Sequence, residues 1–189
     1  LKNKYKITLS EIEKKYQVPS EILLAVWATE SDFGRAKLEF LTLKTLAFQS
    51  YKSDRKNFFY NEFMEFLKLL RIKKMSHTDL YGSSFGAMGQ PQFMPSSYNE
   101  FAVDFDQDDR VDIWNNEKDI LASIANFLTK KGWVRDLGWG LEVQALSDLP
   151  CHIAGPDNLR PISSWNRSGI KKITEETRLD IPINTLTSL

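Results

Sequence analysis

Apolar residues recur at three- and four-residue steps through most of the first 133 residues, and glycines and prolines stand between the runs. That period belongs to helices buried along one face. Ser10 and Glu13 have capping-box spacing, with Ile12 and Tyr16 one turn apart. Val18-Pro19 breaks this run, and Pro19 suits the first turn of a second helix. That helix passes through Ile22, Leu23, Val26 and Trp27 to Phe33, where Gly34 is a natural stop. Residues 38–51 can form a third. From 55 to 74, Phe59, Phe63, Phe66, Leu67 and Leu70 repeat at helical spacing. Lys68, Arg71, Lys73 and Lys74 come late in that run, where the helix dipole favours cations. Residues 116–131 carry Ile120, Ile124, Phe127 and Leu128 on one face, with Gly132 at the end. Beyond Trp139 the periodicity fades. A short strand at 141–146, a turn at Gly155-Pro156-Asp157 and a short helix near Ser163 are expected there. The fold class is therefore mainly α, with a small irregular, β-containing part toward the C-terminus.

Composition narrows the function classes. Lysine and arginine total 25, as do aspartate and glutamate, so no bulk charge draws the chain to nucleic acid or an anionic membrane. The partner must be recognised by a site. Cys151 is the one cysteine, so no internal disulfide can form and the core must hold the fold. No stretch approaches the roughly 18 apolar residues of a membrane span. The chain begins at Leu1, as a processed or trimmed product would.

Glu30 has the most unusual setting. On a helix, Val26 lies one turn behind it, Leu23 two turns behind, and Trp27 three residues back. Glu30 is expected to continue the core-facing stripe, where lost hydration raises a carboxyl pKa. A glycosidase acid needs that shift to hold its proton near neutral pH. The pattern alone fits better a solvated glutamate at a fraying helix end, as most helix glutamates are.

Three runs decide between these. Ile22-Leu23-Leu24-Ala25-Val26-Trp27-Ala28-Thr29-Glu30-Ser31-Asp32-Phe33-Gly34 resembles the catalytic-helix motif of the lytic murein transglycosylase B family. Gly82-Ser83-Ser84-Phe85-Gly86-Ala87-Met88-Gly89-Gln90-Pro91-Gln92-Phe93-Met94-Pro95-Ser96-Ser97-Tyr98 resembles its second motif. Val103-Asp104-Phe105, then Ile113-Trp114 and a helix through Ala125-Asn126, form the third match. The resemblance implies a lysozyme-like fold and one catalytic unit over residues 1–189. It implies Glu30 as the single acid/base, with Ser83 and Gln92 near the reacting sugar. The substrate implied is the glycan strand of peptidoglycan, cleaved without water to a 1,6-anhydro sugar and without a catalytic cofactor. Asp32 points to another side of the helix and is not expected to act as a second carboxylate. A lysozyme-type hydrolase and a non-catalytic peptidoglycan-binding module are the alternatives. The setting implied is periplasmic, with outer-membrane anchoring through a segment outside this chain, and cell-wall synthesis or remodelling proteins as further partners.

The acidic loop 104–119 carries a separate pattern. Asp104, Asp106 and Asp108 occupy the first, third and fifth places of an EF-hand loop, with Asp112 at the ninth. Asp109 stands where a turn glycine is usual, and Asn115 where the closing glutamate is usual. The family carries a similar loop closed by a later aspartate. This implies Asp119 as the closing ligand, Arg110 as a backbone-carbonyl ligand and calcium as a structural ion. The family domain also ends in a helix bearing a Tyr-Asn pair. No such pair is found here, and that end of the domain is expected to be missing.

Overall fold

The computed structural model describes residues 1–73, 80–135, 140, 142–145, 151–153, 155, 157–172 and 186–187. It divides into two compact units, Leu1–Trp133 and Val134–Leu189.

The first unit is helical. Its elements are α1 (Lys6–Tyr16), α2 (Ser20–Ser31), α3 (Thr42–Lys52), α4 (Lys56–Lys73), α5 (Pro95–Phe101) and α6 (Glu117–Lys130). Helix α6 is central, with α1, α2 and α5 packed on it. The sequence pattern predicts an amphipathic α6, yet every residue from Asp119 to Ala125 is buried. Ala122, Ser123 and Ala125 are small enough for neighbouring backbones to approach on several sides, so the burial encircles the helix. Asn116 caps it by accepting a hydrogen bond from the Lys118 amide at 3.0 Å.

Two end signals work differently from expectation. Helix α1 begins at Lys6, so Ser10 lies inside it and forms no capping box. Glu13 instead accepts hydrogen bonds from the Ser20 hydroxyl at 2.7 Å and the Ser20 amide at 3.3 Å, stabilising the start of α2. Pro19 is the N-cap of α2 and precedes its first turn. The core stripe of α4 is Phe59, Glu62, Phe66 and Leu69, whereas Leu67, expected inside, is exposed.

Helix α3 pairs with α4, and α4 also carries α5. A two-residue strand β1 (Phe40–Leu41) before α3 pairs antiparallel with β2 (Tyr81–Gly82). This pairing anchors the start of the small-residue segment that follows Gly82.

The second unit is smaller and mixed, as expected for the C-terminal part. Strand β3 (Val143–Ala145) pairs antiparallel with β5 (Ile170–Lys172), and β4 (Arg160–Pro161) with β6 (Leu186–Thr187). Helix α7 (Ile162–Arg167) covers the expected Ser163 position. Trp165 and Ile170 are buried, and the Arg160 guanidinium lies 5.0 Å from the Trp165 ring centroid.

Candidate active site

Glu30 is the penultimate residue of α2. The buried face of that helix is Ser20, Leu23, Trp27 and Ser31. From Trp27, four helical steps bring Ser31 within about 40° of the stripe, while three steps leave Glu30 about 60° to its other side. Ser31, not Glu30, therefore continues the stripe, and Glu30 keeps exposed surface. Its carboxyl is nevertheless held above the usual carboxylate range, with desolvation as the cause. A carboxylate can show surface to solvent and still lose hydration, because solvation of an ion draws on water beyond the first layer. Among the described residues no cation pairs with Glu30. Asp32 differs: it is exposed and bound to Arg35 at 2.6 Å.

The chain after Glu30 turns through three successive left-handed residues, Asp32 (φ 49°), Phe33 (φ 57°) and Gly34 (φ 78°). A bulky residue such as Phe33 rarely adopts this conformation unless its surroundings enforce it. The Ser31 hydroxyl braces the turn, donating to the Trp27 carbonyl at 3.3 Å and accepting from the Gly34 amide at 3.1 Å. The Phe33 ring packs edge-on against Trp27, with centroids 5.5 Å apart.

The second motif folds as linked turns. Ser83 accepts hydrogen bonds through its hydroxyl oxygen from the amides of Phe85 (3.3 Å) and Ala87 (3.2 Å). Met88 and Phe93 exchange backbone hydrogen bonds of 2.7 and 3.0 Å, closing a hairpin over 89–92. Gln92 sits in it at φ 53° and donates from its amide to the Gly89 carbonyl at 2.9 Å. Glycines in such a segment let another group approach the backbone closely. The structure turns them inward: Gly86 lies against Leu46, and a Cβ on Gly89 would meet Ile113 at 2.6 Å. They let the loop seat on the protein's own core.

Helix α2 and this loop are joined directly. Trp27 donates from its indole nitrogen to Gln90 Oε1 at 2.7 Å. Gln90 Nε2 donates to the Trp114 carbonyl at 2.6 Å, and the Gln90 amide to the Ile113 carbonyl at 2.9 Å. Glu62, on the buried stripe of α4, accepts from the Ser96 hydroxyl at 2.7 Å and the Ser96 amide at 2.9 Å, fastening α5 just beyond the loop. Sequence reasoning missed both groups. The signal for Glu62 was present, a carboxylate at apolar spacing between Phe59 and Phe66. Gln90 gave no signal beyond its place in the motif.

In the acidic loop, carboxylate oxygens of Asp104, Asp106 and Asp119 lie within 4.8 Å of one another. Asp119 is fully buried and accepts the amides of Phe105 (2.8 Å) and Asp112 (2.9 Å), so it ties both ends of the loop. Its pKa is raised, chiefly by desolvation; the two backbone hydrogen bonds oppose this, and Asp106 and Asp104 add to it. Asp104 accepts the amides of Gln107, Asp108 and Asp109. Asp109 takes the left-handed turn at φ 66°, which aspartate tolerates better than most residues. Asp108 stands outside the three-carboxylate group and accepts the Arg110 amide at 2.9 Å. Asp112 caps the following turn, accepting the amides of Trp114 and Asn115.

Comparison with known proteins agrees with this architecture. Residues 1–188 match the transglycosylase SLT domain. The chain is 36% identical over 134 residues to membrane-bound lytic murein transglycosylase B of Escherichia coli strain K12, covering 70% of this chain and 37% of that protein. SltB3 from Pseudomonas aeruginosa, in complex with NAG-anhNAM-pentapeptide, superposes with a TM-score of 0.83 at 30% identity over 100% of this chain and 50% of that one. The Escherichia coli lytic transglycosylase Slt35 in complex with calcium gives 0.82 at 29% identity, over 100% of this chain and 58% of that one. The chain thus spans roughly a third to three-fifths of the relatives it matches. With residues 1–188 covered by one family model and the whole chain superposing on its solved members, the chain belongs to the transglycosylase SLT-domain family and has its lysozyme-like fold.

Proposed function

We propose that this chain cleaves peptidoglycan glycan strands as a lytic transglycosylase, with Glu30 as its one acid/base. The family match over residues 1–188 carries the reading, together with the place of Glu30 at the end of α2, where desolvation pushes its carboxyl up and no cation pairs with it among the described residues. Desolvation favours the protonated form, which is the direction a proton donor needs, and the same carboxyl can take a proton back. Glu30 protonates O4 of N-acetylglucosamine as its bond to C1 of N-acetylmuramic acid breaks. The substrate acetamido group stabilises the cationic C1. The C6 hydroxyl then attacks C1, its proton returns to Glu30, and a 1,6-anhydro ring closes. No water is consumed and the glutamate is regenerated.

Ser83 and Gln92 orient the sugar. Both acceptor sites of the Ser83 hydroxyl take backbone amides, so its proton is the group turned to a ligand. The Gln92 amide nitrogen is engaged by Gly89, which leaves its carbonyl oxygen to accept. Both residues are half-buried on turns fixed by the core. Peptidoglycan as substrate makes the periplasm the working compartment. No helix among the described residues is long and apolar enough to cross a membrane.

Calcium suits the acidic loop. Three carboxylates supply hard oxygen donors, and Lys118 lies 3.9 Å from Asp106. Asp104, Asp106 and Asp119 would hold the ion. When bound, calcium supplies charge compensation that clamps the loop to α6, and no catalytic step runs through it.

Product mass tests the chemistry. Digestion of purified peptidoglycan should give muropeptides lighter by one water than hydrolysis products. Glu30→Gln should lose turnover by about 100- to 10,000-fold or more while staying folded. Hydrated products, or near-normal release by the variant, would refute the assignment.

A further inference from the structure

Glu30 lies between two residues that meet the same side chain. Trp27, three residues before it, donates its indole N–H to Gln90 Oε1 at 2.7 Å. Gly34, four residues after it, presents bare backbone to the same amide: a Cβ there would lie 2.3 Å from Oε1, 2.6 Å from Cδ and 2.7 Å from Nε2 of Gln90. The far side of the amide is fixed too, by donation to the Trp114 carbonyl at 2.6 Å. Its own backbone N–H is held by Ile113.

The segment so gripped needs an external hold. It ends in three consecutive left-handed residues, two of which carry side chains. Such a turn relaxes unless surrounding groups over-determine it. The hold falls on Trp27 and on the turn itself. Trp27 is buried and is also packed edge-on by Tyr5 and Phe33.

We infer that Gln90 is a positioning residue for Glu30: its amide locks Trp27 and the 32–34 turn, and so fixes the direction of the carboxyl between them. Gln90 touches no reacting atom in this scheme. Its contribution is to orientation, where a small misplacement of a catalytic group costs rate without weakening substrate binding. The inference rests on the assignment of Glu30 as the acid/base.

Gln90→Met keeps the length of the side chain and removes both hydrogen bonds. Gln90→Glu keeps the acceptor for Trp27 and loses the donor to Trp114 when ionised. On a soluble, uncrosslinked peptidoglycan oligosaccharide, Gln90→Met should lower kcat by about 10- to 100-fold with KM little changed. Gln90→Glu should fall between it and the wild type. The indole N–H resonance of Trp27, identified by its loss in Trp27→Phe, should move upfield in Gln90→Met and stay near its wild-type position in Gln90→Glu. Wild-type kcat in Gln90→Met overturns the proposal. So does a loss carried by KM, equal impairment of the two variants, or failure of Gln90→Met to fold, which would make the amide a requirement of the fold. Glu30→Gln is measured alongside. If it is inactive while Gln90→Met is normal, only the positioning role falls; if Glu30→Gln is active, the acid/base assignment falls first.

Discussion

Glu62→Ala should destabilise the first unit measurably, and the size follows from what Glu62 holds. Its side chain is 6% exposed on the core face of α4. Both carboxylate oxygens are used, one by the Ser96 hydroxyl at 2.7 Å and one by the Ser96 amide at 2.9 Å. Removing the carboxylate strands two donors in the first turn of α5. A hydrogen bond to a charged group is worth about 1.5–3 kcal/mol, and an anion near a helix N-terminus adds about 0.3–1 kcal/mol. Water entering the vacated space returns part of this, so the net loss is about 3 kcal/mol. For a chain of this size each kcal/mol shifts Tm by about 2–4 °C, which predicts a fall of about 6–12 °C. Glu62→Gln keeps the shape and one acceptor and should lose about half as much. Melting followed by far-UV circular dichroism measures both. A Glu62→Ala chain melting within about 2 °C of wild type would refute the argument that this carboxylate fastens α5, as would a glutamine variant less stable than the alanine one.

Three further outcomes follow from the same geometry. The folded Glu30 carboxyl holds its proton more tightly than the unfolded one, so it costs the wild type stability as pH rises from about 4.3 through the higher folded value. Glu30→Gln should therefore match or exceed wild-type Tm at pH 7, with the gap closing near pH 4; a variant that is less stable at pH 7 contradicts the desolvated setting. Calcium at a hundredfold excess over its Kd should stabilise the native state by about 2.7 kcal/mol, a rise in Tm of about 5–11 °C. Asp104→Ala combined with Asp106→Ala should remove that rise, and an unmoved wild-type melt excludes the site. Gly89→Ala should cost about 2 kcal/mol or more, since φ is +61° and the new methyl would meet Ile113; an unchanged denaturant midpoint would show that Ile113 yields freely.

The order of the longer helices, the class of the fold, the family and the place of Glu30 near the end of α2 were legible in the sequence, whereas the short α5 was not. Each legible feature is written locally: helical periodicity and break residues act within a turn or two, and the three motifs keep their residues contiguous. Asp104, Asp106 and Asp119 were also readable, because the resemblance supplied the closing residue that regular EF-hand spacing does not. Other features were decided by packing. Val26 and Leu23 suggested that Glu30 faces the core, yet rotation about α2 gives that place to Ser31 and leaves Glu30 partly solvated. The glycines of the second motif carry no mark of their neighbours in the sequence, and the tertiary structure uses them to seat the loop on Leu46 and Ile113. Gln90 meets Trp27 across 63 residues and Trp114 across 24, and Glu62 meets Ser96 across 34. No periodicity records such pairings. They exist because α2, α4 and the turns between Gly82 and Trp114 all close on one core, which brings polar groups from distant segments within hydrogen-bonding distance and leaves each of them, once buried, obliged to find a partner.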